Sequence, residues 1–231
     1  MGTAAVAGGR HRVRSALFVL FAAAFSLAAA LGVFVLGCWE LHRTAVTELT
    51  PTALYAQVSQ QEGFVEFDEL PAFYVNAVTA IEDRNFFTHG GVEVSSLARA
   101  LLRNIKARSF AEGGSTITMQ TAKNLYYTQE KSITRKVTEI FTAFDLEREL
   151  TKEQIFALYV NTIYFGGGYY GIGAAAEGYY GAAPADLTDE QCAVLAGVPK
   201  SPNAFSPAAH PDAAEERAQK VLAAMSECGY I

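Results

Sequence analysis

The chain has 231 residues, of which 51% are hydrophobic and 12% aromatic, enough for one globular domain and a further apolar segment. The formal net charge is −6 at pH 7, and the part after residue 39 holds 15 basic and 24 acidic side chains. This acidic balance argues against nucleic acid as a partner, and three cysteines are too few for a disulfide scaffold.

The first element in chain order is an apolar segment. Residues 15–39 carry no charged side chain, and a helix of that length can cross a hydrocarbon core of roughly 30 Å. Three arginines precede it, so the positive-inside tendency predicts a cytoplasmic tail over residues 1–14, a transmembrane anchor over 15–39 and an external domain after it. A cleaved signal peptide is the alternative, although the apolar run is longer than the ~7–15-residue core of such peptides.

Residues 40–69 mix polar and apolar side chains without a long periodic pattern, which predicts a stalk or linker. The domain itself is predicted over residues 70–231, and helical periodicity dominates it from Pro71 onward. Few segments alternate with the period of two that a half-buried strand needs. The predicted fold class is therefore mainly α.

Capping signals divide this domain into helices. Ser115, after a glycine pair, predicts a helix that continues to about residue 125, and Ser132 opens another that ends near residue 150. Thr151 and Thr188 predict the starts of two later helices. In the helix after Ser132, the expected buried stripe consists of Val137, Ile140, Phe141 and Phe144.

Two adjacent carboxylates, Glu82 and Asp83, end the first helical pattern of the domain. Phe86, Phe87 and His89 follow them. Beside two aromatic rings a carboxylate is partly desolvated, which raises its pKa toward the range useful for general acid or base catalysis. The two phenylalanines are the candidates for keeping water from Glu82. The alternative is an ordinary solvated helix end.

The stretch EGGSTITMQTAKNLYY at residues 112–127 places hydroxyl groups and backbone N–H groups at a helix N-terminus. Such an end is a natural site for a phosphate or sugar oxygen. Thr116, Gln120 and Lys123 then recur on one face of the helix. An ordinary capped amphipathic helix would explain the same pattern.

Lys131, Arg135 and Glu139 are spaced by four residues, so they share one face of the next helix, opposite the expected apolar stripe. A solvated face with i,i+4 ion pairs is the default explanation. Two cations and a carboxylate in a row would also suit a diphosphate beside a reacting centre. The Tyr- and Gly-rich segment 152–181 is interpreted as structural, with Asn161 as a buried polar group that needs hydrogen-bond partners.

Taken in this order, the segments resemble the peptidoglycan glycosyltransferase family, which comprises the transglycosylase domain of class A penicillin-binding proteins and the monofunctional transglycosylases. The family's first motif, Glu-Asp-x-x-Phe-x-x-His-x-Gly, is matched from Glu82 to Gly91. The second, Gly-Gly-Ser-Thr-Ile-Thr-Gln-Gln followed by Lys-Asn, is matched from Gly113 to Asn124, with Met119 in place of the first glutamine.

The later motifs of the family also have counterparts. Arg-Lys-x-x-Glu is matched by Arg135, Lys136 and Glu139, and Lys131 stands where an arginine is common. Residues 152–166 and 175–181 match the fourth and fifth motifs, although Ala182 replaces a common lysine. These departures leave both glutamates in place.

The resemblance implies a lysozyme-like, two-lobed and mainly α transglycosylase domain with an N-terminal transmembrane helix. It implies a peptidoglycan glycosyltransferase that polymerises lipid II into glycan strands, with inversion and release of undecaprenyl diphosphate. Glu82, as general base, and Glu139 are then the catalytic residues, and Asp83, Phe86 and His89 support the Glu82 loop. The residues implied to bind substrate and diphosphate are Ser115, Thr116, Gln120, Lys123, Asn124, Lys131, Arg135 and Lys136.

The same resemblance implies partners and surroundings. The substrate and the growing lipid-linked glycan belong to a bacterial cell membrane, which the protein would cross once with its N-terminus in the cytoplasm. Residues 103–114 would form the mobile part of a jaw that touches the bilayer. Cell-division or elongation proteins and transpeptidases are the implied protein partners. No cofactor is required by this scheme, although a divalent cation, Mg²⁺ or Mn²⁺, would help to neutralise the diphosphate.

Two other functions stay open on the sequence. A lysozyme-like enzyme that cleaves glycan strands would also use paired glutamates, but it has no use for a row of cations. An inactive membrane-anchored scaffold would keep the fold without the chemistry. The chain contains no Ser-x-x-Lys, the nucleophile motif of transpeptidase domains, so a monofunctional enzyme is expected.

Overall fold

The computed structural model describes residues 4–95, 97–99, 114–128, 130 and 132–231 of the chain. Nine α-helices have both ends among these residues, and no strand is formed in that part of the chain beyond one isolated bridge. The helices are α1 (Ala4–Glu48), α2 (Pro51–Ser59), α3 (Ala72–Glu82), α4 (Ile117–Tyr126), α5 (Ile133–Glu149), α6 (Lys152–Thr162), α7 (Ile172–Tyr180), α8 (Asp189–Gly197) and α9 (Pro211–Glu227). Three 3₁₀ helices accompany them: Phe67–Glu69, Pro184–Asp186 and Val198–Lys200. The mainly α class is confirmed.

The centre of the domain is α6, in which residues 155–160 are all buried. Helix α6 packs against α4, α2 and α7, while α3, α8 and α9 pack against one another. The ring of Phe86, from the loop after α3, is fully buried with its centroid 5.9 Å from that of Phe156 in α6. Burying a phenylalanine side chain contributes about 1.5–3 kcal/mol, so the core holds this loop against α6.

Side-chain caps begin most of these helices as the sequence predicts. Thr151 and Thr188 each accept from the backbone N–H three residues later within a capping box, and Ser132 caps α5. Helix α4 begins one residue later than predicted, because Thr116 and not Ser115 is its N-cap. The hydroxyl of Ser115 is engaged elsewhere, since it accepts a 2.6 Å hydrogen bond from Lys136 Nζ.

Helix α1 joins the apolar segment to the domain without a break. Its part Leu17–Glu48 is long and apolar enough to cross a membrane, and the apolar side chains along it are largely exposed. Near its C-terminal end Cys38 and His42 are buried instead. His42 Nε2 lies 2.8 Å from Asp145 Oδ2 of α5, and the Trp39 ring meets the Phe141 ring edge-on at 5.3 Å. The anchor helix is therefore packed directly on α5.

The segment predicted as a linker, residues 40–69, differs in the structure. It contains the end of α1 and the helix α2, whose Leu54 and Val58 belong to the core. Asn161 of α6 secures the following turn, because its side chain accepts from the Val65 N–H and donates to the Val65 carbonyl at 2.9 and 2.8 Å. A nine-residue helix is too short to show a clear periodicity, and only the cap at Thr50 and the proline at the first helical position mark it locally.

The buried stripe predicted for α5 is wrong. Phe144 is 50% exposed, and Val137, Ile140 and Phe141 are only half-buried. The buried residues are instead Thr138, Glu139, Thr142, Ala143, Asp145 and Leu146. Polar members of this face have partners inside the protein, among them Lys136 and His42, which reduces the penalty that polar burial would otherwise carry.

Some predictions fall outside the described residues. Lys131 and Gly113 are among these, and so is almost all of the predicted jaw segment 103–114, of which only Gly114 is described.

Candidate active site

The described residues enclose a cleft of about 940 Å³ between the end of α3, the helices α4 and α5, and α9. Nine of the predicted site residues line it: Glu82, Asp83, Ser115, Thr116, Gln120, Lys123, Arg135, Lys136 and Glu139. Asn124 is half-buried but does not line the cleft, and neither do Phe86 and His89. Three segments that are far apart in the chain therefore bring their polar groups to one place.

Glu82 is the last residue of α3, and its side chain is 14% exposed. Oε2 accepts a 2.9 Å hydrogen bond from the Gln120 amide, and Arg217 Nη2 lies 3.9 Å from Oε1. Burial raises the pKa of the Glu82 carboxyl, while the Gln120 hydrogen bond and the charges of Arg217 and Lys200 lower it. Neighbouring Asp83 raises it further. The shift is upward, in the direction that suits a general base near neutral pH.

Asp83 ties the following loop to α4. Its carboxylate accepts from His89 Nε2 at 2.8 Å and from the Ile117 N–H at 2.9 Å. His89 Nδ1 accepts from the Gly91 N–H at 3.0 Å. That acceptor role assigns the proton of the ring to Nε2, which donates to Asp83. Thr116 completes this hydrogen-bond network, because its hydroxyl donates to the Gly91 carbonyl at 2.6 Å.

Gly91 sits where only a glycine fits. Its φ is +89°, a conformation that other residues rarely adopt. An added Cβ would also lie 2.9 Å from Glu147 Cγ and 3.0 Å from the Ala143 carbonyl oxygen. The loop that follows Glu82 therefore runs directly against α5.

The prediction that Phe86 and Phe87 keep water from Glu82 is wrong. Neither ring lines the cleft, and Phe87 is 43% exposed. The turn after α3 directs Phe86 into the core, where it also packs edge-on against Phe87 and His89, with Lys152 Nζ 4.6 Å from its ring centroid. Phe86 holds the loop to the core and does not cover the Glu82 carboxylate.

Glu139 is the second carboxylate of the cleft, and it is only 1% exposed. Lys136 Nζ donates to its Oε2 at 2.9 Å and to Ser115 Oγ at 2.6 Å. Arg135 Nε lies 3.1 Å from Oε1, an ion pair without the alignment of a hydrogen bond, so both of these buried atoms keep unused hydrogen-bonding capacity. The Arg135–Glu139 pair of the predicted salt-bridged face is present, with Glu139 buried and both residues lining the cleft.

Lys123 lines the same cleft as the two carboxylates, and the charge of each acts on it. It makes no hydrogen bond or ion pair within 4 Å with any residue that the structure describes. Burial lowers the pKa of Lys123. The negative charges of Glu139 and Glu82 oppose this shift, whereas the positive charges of Arg135 and Lys136 add to it. Three cations thus meet at one end of the cleft, which forms a site for an anionic group.

Two cationic residues whose charges act on Glu82 were missed from the sequence. Arg217 lies in α9, and Lys200 ends the 3₁₀ helix Val198–Lys200. Neither belongs to a local pattern that indicates chemistry. The only sequence signal is a basic residue on an otherwise apolar helix face, since Arg217 lies one turn from the buried Val221.

Most of the sequence is similar to that of known proteins. The sequence model of the transglycosylase family matches residues 50–226. Penicillin-binding protein 1F of Bacillus subtilis is 42% identical over 167 residues, which are 72% of this chain and 23% of that protein. Penicillin-binding protein 1A of Pseudomonas aeruginosa is 44% identical over 167 residues, 72% of this chain and 20% of that protein.

A third relative agrees with these two. Penicillin-binding protein 1A of Aquifex aeolicus is 42% identical over 179 residues, 77% of this chain and 25% of that protein. The chain therefore spans a quarter or less of the length of these three curated relatives. The matched part begins at residue 50, which agrees with the placement of α2 in the core. The chain belongs to the transglycosylase family, and its helical domain is similar to the matching part of penicillin-binding proteins 1F and 1A.

Proposed function

We propose that the protein is a peptidoglycan glycosyltransferase that polymerises lipid II in cell-wall synthesis. The observation that carries the proposal is the set of side chains that line one cleft. A partly buried Glu82 with an upward-shifted pKa faces the same space as Lys123, Arg135 and Lys136. A base and a separate cluster of cations are what the transfer of a sugar from a diphosphate to a hydroxyl requires.

Glu82 acts as the general base on the acceptor sugar. The 4-hydroxyl of the acceptor is a weak nucleophile until a base removes its proton in the transition state. As the O4–C1 bond forms, the proton passes to the Glu82 carboxylate and the bond from C1 to the diphosphate oxygen breaks. Attack from the face opposite the leaving group inverts the anomeric carbon.

The cations stabilise the departing diphosphate. A diphosphate leaves as an anion, so this site does not need the second carboxylic acid of a glycosidase. Lys123 has no partner of its own among the described residues and is the group most available to the diphosphate. Glu139 orients Lys136 and Arg135 through the contacts at 2.9 and 3.1 Å, which holds their charges at the leaving-group end.

The anchor suits a substrate that stays in the bilayer. A polyprenyl tail confines lipid II to the membrane, and tethering the enzyme there raises its effective concentration. We place the N-terminus in the cytoplasm and the cleft outside, because three arginines precede the apolar segment. The growing glycan is the second substrate, and cell-division or elongation proteins and transpeptidases remain predicted partners.

The divalent cation stays a prediction. Among the described residues, no group of three or more His, Cys, Asp or Glu side chains is arranged to hold a metal ion. Diphosphate oxygens are themselves good ligands for Mg²⁺ and Mn²⁺. Adding a chelator, or Mg²⁺ or Mn²⁺ in turn, to the incubation with lipid II tests this prediction.

Incubating the protein with labelled lipid II in vesicles tests the proposal. We expect lengthening glycan strands, and a loss of at least about 10²-fold in rate for Glu82→Gln, which has no basic oxygen but keeps the shape of the side chain. The unfolding temperature of this variant should stay close to that of the unsubstituted protein. Shortening of preformed glycan with no new polymer would instead identify a glycan-cleaving enzyme, and no reaction with either substrate would favour a scaffold.

A further inference from the structure

Arg217 lines the cleft, and contacts with two neighbouring segments hold its side chain in place. Its side chain is only 13% exposed. Nε donates to the Gly197 carbonyl at 3.3 Å, and the guanidinium carbon lies 6.0 Å from the centre of the Phe205 ring. The guanidinium is thus fixed by two neighbouring segments before any substrate binds.

The absence of a side chain at residue 197 makes room for this arrangement. A Cβ on Gly197 would lie 2.8 Å from Arg217 Cγ, closer than real Cβ contacts. Gly197 is the last residue of α8, so the stem of Arg217 crosses the end of that helix at contact distance. The position of the guanidinium therefore depends on the packing of α8 against α9.

Arg217 faces one oxygen of Glu82, and Gln120 holds the other. Oε2 accepts the Gln120 hydrogen bond at 2.9 Å, whereas Nη2 of Arg217 stands 3.9 Å from Oε1. At that distance the guanidinium supplies charge without a hydrogen bond. The lone pairs of Oε1 consequently remain available for a proton from the acceptor hydroxyl.

Other groups act on Glu82 from the elements around it. They are Asp83 next to it, Gln120 and Lys123 from α4, Tyr159 from α6, Lys200 from the 3₁₀ helix Val198–Lys200, and Arg217 from α9. Among the described residues, Arg217 is the cation that comes within 4 Å of this carboxylate. A guanidinium keeps its charge at any working pH, whereas a buried lysine readily loses it.

We propose that Arg217 is a positioning residue for Glu82, which keeps the carboxylate ionised in the poorly solvated cleft and directs Oε1 toward the acceptor hydroxyl. The proposal depends on the proposed function only for the identity of that hydroxyl. A base must be ionised to accept a proton, and burial favours its neutral form. A fixed cation opposes this effect, and the proton then moves from the acceptor oxygen to Oε1 as the bond to the diphosphate breaks.

The test compares Arg217→Met and Arg217→Lys with Lys220→Met. Lys220 lies on the same helix but is 60% exposed and pairs with Glu216. In vesicles with lipid II, removing the cation should raise the pKa of Glu82 and shift the acid limb of kcat/KM to higher pH by about one unit. Above that limb the rate of Arg217→Met should recover with an unchanged KM. Arg217→Lys should reverse part of the shift, and Lys220→Met should show none.

A second measurement does not depend on activity. Carbon-13 NMR of the full-length protein labelled at the glutamate carboxyl carbons follows the titration of Glu82, whose signal is identified by its loss in Glu82→Gln. The midpoint should be higher in Arg217→Met and also in Gly197→Ala, in which the new methyl group displaces the arginine stem. The latter variant gives the same test if Arg217→Met does not fold.

Two results would overturn the proposal. One is an unchanged titration midpoint of Glu82 in folded Arg217→Met. The other is a raised KM with an unshifted acid limb, which would assign Arg217 to substrate binding. If the unsubstituted protein makes no polymer, the proposed function fails, but the NMR titration still decides whether Arg217 controls the ionisation of Glu82.

Discussion

Replacing Asp83 by asparagine tests whether the buried carboxylate holds the loop after Glu82. In the structure Asp83 accepts two hydrogen bonds, from His89 and from the Ile117 N–H, at 2.8 and 2.9 Å. An asparagine oxygen can take the place of Oδ2, but the amide nitrogen would then face His89 Nε2, which lies 3.0 Å from Oδ1. His89 cannot easily change tautomer, because its Nδ1 accepts from the Gly91 N–H. Two donors would therefore meet in a buried site.

The expected loss follows from these contacts. A hydrogen bond to a charged group contributes about 1.5–3 kcal/mol and a neutral one about 0.5–1.5 kcal/mol. Exchanging two bonds of the first kind for two of the second therefore lowers the free energy of unfolding by about 2 kcal/mol. For a domain of this size, 1 kcal/mol corresponds to about 2–4 °C in the unfolding temperature, which predicts a decrease of about 4–8 °C. Because Glu82 adjoins Asp83, a displacement of about 1 Å would also lower the polymerisation rate by about 10²-fold.

Thermal unfolding in detergent, followed by circular dichroism, and the lipid II assay measure the two effects. The matched control is Asp186→Asn, at an exposed position of the 3₁₀ helix Pro184–Asp186, for which we expect a change within about 0.5 kcal/mol. If Asp83→Asn unfolded within 1 °C of the unsubstituted protein and made glycan at the same rate, the role assigned to the hydrogen-bond network of Asp83, His89 and Gly91 would be incorrect.

Three further substitutions test other parts of the site. Gly91→Ala should lower the unfolding temperature and the polymerisation rate together, because φ is +89° and the new Cβ would lie 2.9 Å from Glu147 Cγ; an alanine variant as stable as the parent would refute the close approach to α5. Lys123→Met should lose about 10²-fold in rate while unfolding at the same or a higher temperature, since a half-buried, unpaired cation is removed; unchanged kinetics across donor concentrations would exclude a diphosphate role. Glu139→Gln should reduce the rate by about 10²-fold and also the stability, because Lys136 and Arg135 lose their counter-charge; a variant with full activity would remove Glu139 from the site.

The chain order of motifs was sufficient to predict most of the cleft, although it could not supply the geometry. Glu82, Gln120, Lys136 and Glu139 were all predicted, and the structure places them around one space. The exposure of Glu139 differs from the sequence prediction. This residue was expected on the helix face opposite the buried one, but it is only 1% exposed. An amphipathic pattern assumes that apolar side chains face the core. In α5, polar residues are buried with partners from α1, such as His42, and from α5 itself, such as Lys136.

The sequence by itself determined what depends on neighbours within about four residues. The apolar anchor, the mainly α class and the caps at Ser132, Thr151 and Thr188 depend on composition, periodicity and hydrogen bonds to the next turn, so a single sequence contains the information.

Only the tertiary structure decided which distant residues meet. The direction of Phe86, the burial of Glu139 and the approach of Arg217 to Glu82 depend on how α3, α5, α8 and α9 pack, and the last of these requires a glycine at residue 197. Contacts between helices that are far apart in the chain leave no periodic trace in the sequence, because they depend on side-chain shape and on the path of the backbone between them.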